Sequence, residues 1–344
     1  MNAAALHGRE DLRIQPMEPR SLGPGEIRVA IEAALTCGTD LKVFRRGYHA
    51  RMLVPPSVFG HEFAGTITET SADLGGTWNL GDRVVAANSA PCGQCPFCRQ
   101  NQENLCDDLM FLNGAYAESI VVPARLVAKN LLKLKSETSH VDAALTEPLA
   151  CVVQGVEDSQ LKPGQRCLVI GAGPIGLMFV AVARNLGLDV SVVGRGQSRL
   201  HKAGQLGAVK CIDVSGSQDL VMAVKAVDPD AFDVVIEAVG KPETWEASVQ
   251  LVRKGGLVNF FGGCPSGTQI QLDTGLIHYS SLTLRASFHH TPRTIRRALE
   301  FIEAGVIRAA DFVDGECALT GLPALFRSMA AGNRAIKTLV RVRE

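Results

Sequence analysis

The sequence predicts an α/β protein of two domains, and three observations support this prediction. Residues 1–145 contain short β-rich runs bounded by Gly, Pro or Asp, such as 27–33, 60–70 and 84–87. From about residue 150, short apolar strands alternate with helical stretches, a spacing that predicts a doubly wound parallel sheet. The chain has 344 residues, which is more than the ~150 residues that one hydrophobic core needs.

The alternation of strands and helices continues to residue 262. The predicted strands are 167–171, 190–193, 209–213, 232–239 and 256–262, and the predicted helical stretches are 175–186, 197–206, 217–227 and 242–253. An amphipathic helix at 291–304 and a strand at 337–342 follow.

Composition and charge exclude several classes of protein. The chain is 46% hydrophobic and 20% charged, which is ordinary globular usage and argues against a disordered tail, a fibre or a coiled coil. Lys and Arg total 35, and Asp and Glu also total 35, so the formal charge is zero. Because no basic excess attracts nucleic acid or an anionic membrane, the expected partner is a small molecule.

The sequence also predicts a cytoplasmic protein without a membrane segment. Its most apolar segment, 168–183, is shorter than the roughly 20 residues needed to span a bilayer and is interrupted by Gly and Pro. Charged side chains precede any long apolar block at the N-terminus, so no signal peptide is expected.

Four of the ten cysteines form a compact run with the spacing C-x2-C-x2-C-x7-C. These are Cys92, Cys95, Cys98 and Cys106. Their segment is rich in Gly, Pro, Gln and Asn and has no apolar periodicity, so it lacks a core of its own. Four thiolates at these spacings can bind one Zn²⁺ tetrahedrally, and the metal then replaces the missing core. We predict a structural zinc lobe over 88–110.

An iron–sulfur cluster and a chance grouping are less favoured for the cysteine run. An iron–sulfur cluster also uses four thiolates, but the ferredoxin run has another last spacing and a Pro after the final cysteine. Here Asp107 follows Cys106. The regular spacing also argues against four unrelated cysteines in a loop. A closed four-thiolate zinc site does no chemistry, so this site says nothing about the reaction.

A glycine-rich segment lies where a predicted strand ends and a predicted helix begins. Gly171 allows a tight turn, Gly173 lets the backbone approach a pyrophosphate, and Gly176 lets helix and strand pack closely. With Pro174 and Ile175 between them, these glycines form the G-x-G-x-x-G pattern of a dinucleotide-binding site. The helix N-terminus supplies N–H donors for the phosphates. A glycine-rich turn of another α/β protein is the alternative, and the surrounding alternation disfavours it.

The segment after the second predicted strand favours NADP over NAD. An acid at this place would bind the ribose 2′-hydroxyl of NAD. The strand instead leads into Gly194 and Arg195, Arg199 follows, and no Asp or Glu occurs before Val209. Two guanidinium groups suit a 2′-phosphate. The alternative is that the two arginines are simply solvated at a polar helix start.

Four further residues have the types that a catalytic zinc needs. Cys37 follows a predicted strand, His61 and Glu62 lie some twenty residues later, and Glu147 precedes the nucleotide-binding segment. Taken singly, each is compatible with an ordinary role, as a small buried residue, a core histidine or a helix-start acid. Together they form a three-ligand set with an open position, the ligand count of a catalytic zinc.

In this combination the chain resembles the zinc-dependent medium-chain dehydrogenases of the alcohol dehydrogenase superfamily, in the branch of sorbitol, polyol and threonine dehydrogenases. The matching motifs occur in the family's order over nearly the whole length. They are CGTD (37–40), GHE (60–62), GDRV (81–84), the four-cysteine lobe (92–106), EPLAC (147–151) and GAGPIG (171–176).

The resemblance implies a fold and an assembly. A GroES-like β-barrel catalytic domain is expected over 1–148 and 290–344, with a Rossmann NAD(P)-binding domain over 149–289. A homodimer or homotetramer is also expected.

The resemblance also implies roles for individual residues. Cys37, His61 and Glu62 would bind the catalytic zinc, with Glu147 either a ligand or one water away. The zinc would act as a Lewis acid on the substrate oxygen while a hydride passes between the substrate carbon and the nicotinamide. Thr39 is expected to begin a proton relay to solvent or, alternatively, to cap the following helix turn.

The resemblance also indicates which residues line the substrate pocket. By resemblance, Phe44, Phe59, Phe288 and His289 approach the substrate pocket. Sorbitol dehydrogenases typically have an arginine where this chain has His289, so we expect a secondary alcohol of a polyol, cyclitol or amino-sugar precursor rather than sorbitol itself. Threonine is the alternative substrate.

Two alternatives remain outside this branch. A catalytically silent zinc- and nucleotide-binding protein would have lost the catalytic ligands, which are present here. A zinc-free quinone or enoyl reductase of the same superfamily would lack both the ligands and the four-cysteine lobe.

Overall fold

The computed structural model describes residues 1–49, 51–216, 219–333 and 335–343. The chain forms two compact units. Unit 1 comprises Met1–Ala150 and His290–Glu344, and unit 2 comprises Cys151–His289. Unit 1 is therefore built from both ends of the chain, and unit 2 is one continuous insertion between them.

Strands form most of unit 1 and the central layer of unit 2. In chain order they are β1 (Asn2–Gly8), β2 (Asp11–Pro16), β3 (Ile27–Leu35), β4 (Ser57–Val58), β5 (Glu62–Thr70), β6 (Arg83–Ala86), β7 (Ser89–Ala90), β8 (Met110–Phe111), β9 (Ser119–Val122), β10 (Leu131–Lys133), β11 (Arg166–Ile170), β12 (Asp189–Gly194), β13 (Lys210–Asp213), β14 (Phe232–Glu237), β15 (Val252–Phe260), β16 (Thr283–Ala286), β17 (Gly315–Ala318) and β18 (Thr338–Arg341). The strands predicted at 27–33 and 256–262 are confirmed, although β3 ends later and β15 begins earlier than expected.

Helices connect these strands. In chain order they are α1 (Gly38–Arg46), α2 (Pro96–Arg99), α3 (Ala124–Asn130), α4 (His140–Ala143), α5 (Thr146–Asp158), α6 (Pro174–Asn185), α7 (Gln197–Gln205), α8 (Leu220–Val227), α9 (Pro242–Leu251), α10 (Thr274–Tyr279), α11 (Pro292–Glu303), α12 (Ala309–Phe312) and α13 (Leu322–Ala330). The helix predicted over 217–227 is α8, and residues 217 and 218 lie outside the described residues. Among the described residues, no helix has both the length and the apolar character needed to cross a membrane.

The main sheet of unit 1 brings distant segments together. Its strand order is β10-β6-β5-β3-β18-β17, with β9 also paired to β3. β3 pairs antiparallel with β5, so that Leu35 lies opposite Glu62, and antiparallel with β18, so that Leu35 also lies opposite Leu339. The segments that follow β3, precede β5 and precede β18 therefore meet at one end of the sheet.

The core of unit 1 includes a cluster of aromatic rings. The ring centroid of Phe326 lies 5.4 Å from that of Phe44, 5.4 Å from that of Phe59 and 6.0 Å from that of Tyr116. Such tilted and edge-to-face pairs add to the stabilisation from burial. Helix α13, which carries Phe326, is thereby fixed against α1 and the segment before β5.

Unit 2 is the doubly wound parallel sheet that the alternation predicts. Its strand order is β13-β12-β11-β14-β15-β16, and every neighbouring pair is parallel. β11 is buried along nearly its whole length because helices cover both faces of such a sheet. The strand order reverses between β11 and β14, and the crevice at the carboxyl ends of the strands at such a reversal is where ligands bind.

Candidate metal and cofactor sites

The strand pairing of unit 1 brings three predicted zinc ligands together. Cys37 comes two residues after β3, His61 directly precedes β5, and Glu62 is the first residue of β5. The ligand atoms of these three side chains all lie within 4.8 Å of one another. One thiolate, one imidazole and one carboxylate are a donor set that fits zinc with a position left for substrate.

A buried carboxylate orients His61 for metal binding. Nδ1 of His61 lies 2.8 Å from Oδ1 of Asp40, and the Tyr116 hydroxyl donates to Oδ2 of Asp40 at 2.7 Å. Because Nδ1 donates its hydrogen to Asp40, the lone pair of Nε2 is left for a metal. Burial lowers the pKa of His61, but the charges of Asp40 and Cys37 outweigh it and raise this pKa well above its ordinary value. Asp40 and Tyr116 thus form a buried hydrogen-bonded support behind the His61 ring.

Cys37 also begins helix α1. Its sulfur accepts the backbone N–H of Thr39 at 3.4 Å, which makes Cys37 the N-cap of this helix. The capping side chain is therefore Cys37, and the alternative of Thr39 as the cap is not what the structure shows. Thr39 is half-buried beside the ligand, and its role in a proton relay stays a prediction.

Glu62 forms a buried ion pair that no local sequence pattern indicates. Nζ of Lys337 lies 2.7 Å and 2.5 Å from the two carboxylate oxygens of Glu62, and it also donates to the carbonyl oxygen of Thr36 at 3.1 Å. The exposed fractions of these side chains are 3% for Lys337 and 0% for Glu62. Burial raises the pKa of Glu62 even though Lys337 opposes this shift. Lys337 therefore compensates a carboxylate that has no access to water.

Glu147, the second predicted carboxylate, lies in the first turn of α5. Its Oε1 is 3.8 Å from Nε2 of His290, and Nε2 of His290 lies 3.0 Å from Oδ1 of Asn88. Burial raises the pKa of Glu147 to about 7, and the charges of His61 and Glu62 also act on it. Glu147 is thus within electrostatic range of the three-ligand group. Whether it binds the metal directly stays a prediction.

The four cysteines of the predicted structural lobe also converge. Their sulfur atoms all lie within 4.8 Å of one another, and Sγ of Cys92 is 4.0 Å from Sγ of Cys98. Four thiolates around one zinc at Zn–S distances of about 2.3 Å have sulfur–sulfur separations of about 3.8 Å. Backbone N–H groups of residues 98 and 107 lower the pKa of Cys95 to about 6, whereas burial raises the pKa of Cys98 to about 12. The donor set and its spacing fit one zinc ion.

In unit 2, the glycine turn follows β11 as predicted. A Cβ atom on Gly176 would overlap the carbonyl oxygen of Gly171, so only glycine allows this packing. A Cβ atom on Gly173 would meet no heavy atom within 4 Å, so the space above this residue is open. Gly173 is the N-cap of α6, whose first residues are Pro174 and Ile175. An open backbone at the start of a twelve-residue helix fits a pyrophosphate group.

The adenosine end of the predicted cofactor site contains an acid from a neighbouring strand. Asp213 on β13 is paired with Gly194 on β12. Its carboxylate accepts hydrogen bonds from Nε2 of Gln197 at 2.7 Å and from the hydroxyl and backbone N–H of Ser215 at 2.6 and 2.9 Å. Both oxygens of Asp213 are therefore bound by protein donors. Arg195 is exposed and Arg199 is half-buried on α7, and their contact with a 2′-phosphate stays a prediction.

The predicted substrate residues lie in different environments. Phe44 and Phe59 are each 1% exposed and belong to the aromatic core of unit 1. In unit 2, Phe288 is 52% exposed, and its ring lies 5.6 Å from that of His289. His289 has φ +62°, a conformation that costs a non-glycine residue of order 1 kcal/mol or more. Their contact with substrate stays a prediction.

Replacing Lys337 by Met should destabilise unit 1 by about 3–5 kcal/mol, because Glu62 then remains buried without its partner. The double variant Lys337→Met/Glu62→Gln should recover part of this loss, because no unpaired charge remains. Unit 1 contains Trp78 and unit 2 contains Trp245. Urea unfolding followed by Trp78 fluorescence in a Trp245→Phe background therefore reports the free energy of unfolding of unit 1.

The control for this experiment is Lys135→Met. It removes the ion pair between the exposed Lys135 side chain and Glu303, which is 61% exposed at the lysine against 3% for Lys337, and should cost at most about 1 kcal/mol. Equal losses in the two lysine variants would contradict a buried charge pair at Lys337.

Replacing Gly173 by Ala should weaken NADPH binding about tenfold or more, because the new methyl group occupies the space over the turn. Thermal unfolding of this variant should match that of the unaltered protein. Gly176→Ala is the matched control, and it should lower the unfolding temperature and NADPH binding together. NADPH fluorescence titration and thermal unfolding measure both effects. Unchanged NADPH affinity in Gly173→Ala would contradict the assignment of this turn.

Known families match both units. Residues 23–133 match the alcohol dehydrogenase GroES-like domain, and residues 174–304 match the zinc-binding dehydrogenase family. The predicted combination of a GroES-like β-barrel domain with a Rossmann domain is confirmed.

Individual relatives cover most of the chain. The D-altritol 5-dehydrogenase of Agrobacterium fabrum is 35% identical over 82% of this chain and 82% of its own length. The L-idonate 5-dehydrogenase of Vitis vinifera is 31% identical over 98% of this chain and 93% of its own length. A solved structure from Sinorhizobium meliloti 1021, of a protein assigned as a zinc-binding dehydrogenase and bound to NADP, is 28% identical and has a TM-score of 0.90, covering 99% of this chain and 98% of its own. The chain therefore belongs to the zinc-dependent medium-chain dehydrogenases, in the branch of polyol and threonine dehydrogenases, and is an NAD(P)-dependent oxidoreductase that acts on CH–OH groups.

Proposed function

We propose that this enzyme oxidises a secondary alcohol of a polyol, cyclitol or sugar alcohol, or reduces the corresponding ketone. The observation that carries this proposal is the convergence of Cys37, His61 and Glu62 within 4.8 Å, with His61 oriented by a buried carboxylate. The polyol relatives favour this substrate class over threonine.

The residues of unit 1 hold the metal and control its surroundings. Cys37, His61 and either Glu62 or Glu147 bind the zinc. Zinc bound there supplies a Lewis acid that lowers the pKa of the substrate hydroxyl. Asp40 keeps Nε2 of His61 free for the metal, and Lys337 offsets the charge of Glu62. Glu147 either binds directly or acts through one water.

Proton transfer is assigned to Thr39. Its backbone N–H is bound to the sulfur of Cys37, so residue 39 is adjacent to the candidate ligand, which supports this assignment. Its hydroxyl accepts the proton of the substrate alcohol and passes it towards solvent. Nicotinamide bound in unit 2 supplies the acceptor or donor of the hydride.

The glycine turn and the two arginines of unit 2 hold the cofactor. Gly171, Gly173 and Gly176 receive the pyrophosphate at the start of α6. Arg195 and Arg199 follow β12, where an acid would otherwise bind the ribose of NAD, so we infer that NADP is preferred. Asp213 does not reverse this preference, because its oxygens already accept protein hydrogen bonds.

The enzyme should contain about two zinc ions per chain, one catalytic and one in the lobe of Cys92, Cys95, Cys98 and Cys106. Cys37→Ser should reduce this to one zinc and abolish turnover of a ketose panel with NADPH. Cys211→Ser is the control, because Cys211 is exposed and lies outside both clusters. Elemental analysis and NAD(P)H oxidation provide the measurements.

One zinc per chain that Cys37→Ser leaves in place would overturn the catalytic site. The third ligand is identified by comparing Glu62→Gln with Glu147→Gln, because only the loss of a direct ligand should lower the zinc content to that of Cys37→Ser.

Arg195→Gln should raise the KM for NADPH about ten- to a hundredfold, since a hydrogen bond to a charged group contributes about 1.5–3 kcal/mol. The KM for NADH should change little, because NADH has no 2′-phosphate. Arg253→Gln is the control, since Arg253 lies near the opposite end of the sheet, at the start of β15. Parallel increases of both KM values in Arg195→Gln would refute a contact with the 2′-phosphate.

A further inference from the structure

In unit 2, the turn that follows β12 is bound to the segment after β13 on both sides of Arg195. The backbone N–H of Val214 donates to the carbonyl oxygen of Gly194 at 3.0 Å. The backbone N–H of Gly196 donates to the hydroxyl oxygen of Ser215 at 3.3 Å. The residues immediately before and after Arg195 are therefore both held by the end of the neighbouring strand.

Asp213, the last residue of β13, is the centre of these contacts. Its Oδ1 accepts the hydroxyl and the backbone N–H of Ser215 at 2.6 and 2.9 Å, and its Oδ2 accepts Nε2 of Gln197 at 2.7 Å. The same Ser215 hydroxyl that donates to Asp213 accepts the N–H of Gly196. Asp213 is therefore linked to Gly196 through one side chain and directly to Gln197, the first residue of α7.

The carboxylate of Asp213 is charged and is directed at this turn. The hydrogen bond from the Ser215 hydroxyl is the largest of the causes that lower the pKa of Asp213. An ionised carboxylate can only accept hydrogen bonds, and each of its two oxygens here accepts at least one from the protein. The charge of Asp213 thus stabilises the turn between β12 and α7.

The turn that carries Arg195 also packs against the glycine-rich turn of the predicted cofactor site. A Cβ atom on Gly194 would lie 2.7 Å from Cβ of Ala172 and 2.9 Å from its backbone nitrogen, so the two turns approach as closely as glycine allows. The N–H of Gly171 donates to the carbonyl oxygen of Val193 at 2.8 Å. The backbone that leads to Arg195 therefore starts beside the expected pyrophosphate position, where the adenosine ribose follows in a dinucleotide.

The side chain of Arg195 depends on its backbone for its position. Its guanidinium is exposed, and within the described part of the chain it has no hydrogen-bond or ion-pair partner in the protein. A long side chain on a mobile loop loses conformational entropy when it binds an anion, and a backbone that is fixed in advance reduces this loss. The hydrogen bonds of Asp213 fix this backbone before any ligand binds.

We propose that Asp213 is a positioning residue for the 2′-phosphate of NADP, because it holds the backbone on both sides of Arg195 through Ser215 and Gln197. This inference rests on the proposed function, since it takes Arg195 as the group that binds the phosphate. A carboxylate near a phosphate could instead only repel it, and the two roles predict opposite results. Removal of the negative charge strengthens phosphate binding if Asp213 only repels, and weakens it if Asp213 positions Arg195.

The test uses two cofactor fragments that differ only in the 2′-phosphate, namely adenosine 2′,5′-bisphosphate and adenosine 5′-monophosphate. Calorimetric titration of the full-length, zinc-containing protein gives both dissociation constants, and the monophosphate constant divided by the bisphosphate constant is the phosphate preference. We expect the unaltered protein to have a phosphate preference of at least about ten. A general loosening of the adenosine site weakens both fragments equally, so this ratio reports the phosphate contact alone.

Asp213→Asn and Ser215→Ala should each lower the phosphate preference about three- to tenfold, because each breaks a connection that fixes the turn. Ser215→Thr keeps the hydroxyl group and should retain the preference. Asp189→Asn is the matched control, because Asp189 is the first residue of β12, at the opposite end of this strand, and pairs with Arg184 at 3.1 Å. It removes the same charge without changing the turn and should leave the preference unaltered.

Several outcomes would overturn the positioning role while leaving the NADP preference in place. These are a phosphate preference that Asp213→Asn raises or leaves unchanged, a preference that Ser215→Ala leaves unchanged, and an equal decrease in Asp189→Asn. Failure of the proposed cofactor gives a different result. Equal binding of the two fragments to the unaltered protein would refute the NADP preference, and the role of Asp213 with it.

Discussion

The position of β3 between β5 and β18 determines where the metal ligands lie. Leu35 is paired with both Glu62 and Leu339. Cys37, Glu62 and Lys337 therefore meet at one end of the sheet. The side chains of a strand alternate between its two faces, so a shift of one residue in either pairing would turn Glu62 or Lys337 away. Burial of apolar side chains in the core of unit 1 sets the register of these strands. The same register brings the candidate zinc ligands together.

The sequence alone predicted those parts of the candidate sites whose residues all lie within one short segment. The four-cysteine lobe and the glycine turn each occupy fewer than twenty residues, and their spacing is itself the geometric requirement. Lys337 and Asp213 were missed because strand pairing brings each of them to its site. Asp213 lies on β13, so inspection of the segment after β12 does not find it. Lys337 lies 275 positions after Glu62, so no local sequence pattern connects the two residues. Phe59 lies close to His61 in the sequence, but its ring belongs to the core of unit 1, and the sequence does not indicate this.

The two predicted zinc sites differ in how they depend on folding. The lobe takes its ligands from one short loop, so closing that loop around a metal costs little chain entropy. The catalytic ligands come from three segments that meet only after the main sheet has formed. The lobe ligands are therefore neighbours in the sequence itself, whereas the catalytic ligands are neighbours only in the folded unit.

Arg51 joins the four-cysteine lobe to the segment between α1 and β4, which leads from Cys37 to His61. Its guanidinium lies against the carbonyl oxygen of Cys106, the last cysteine of the lobe, and its backbone N–H is bound to His49. A metal bound in the lobe would thus help to fix the segment that connects the helix after Cys37 to the strand before His61. Loss of zinc from the lobe would then loosen an anchor of the segment that joins two of the candidate catalytic ligands, so the folding of one site would depend on the metal of the other.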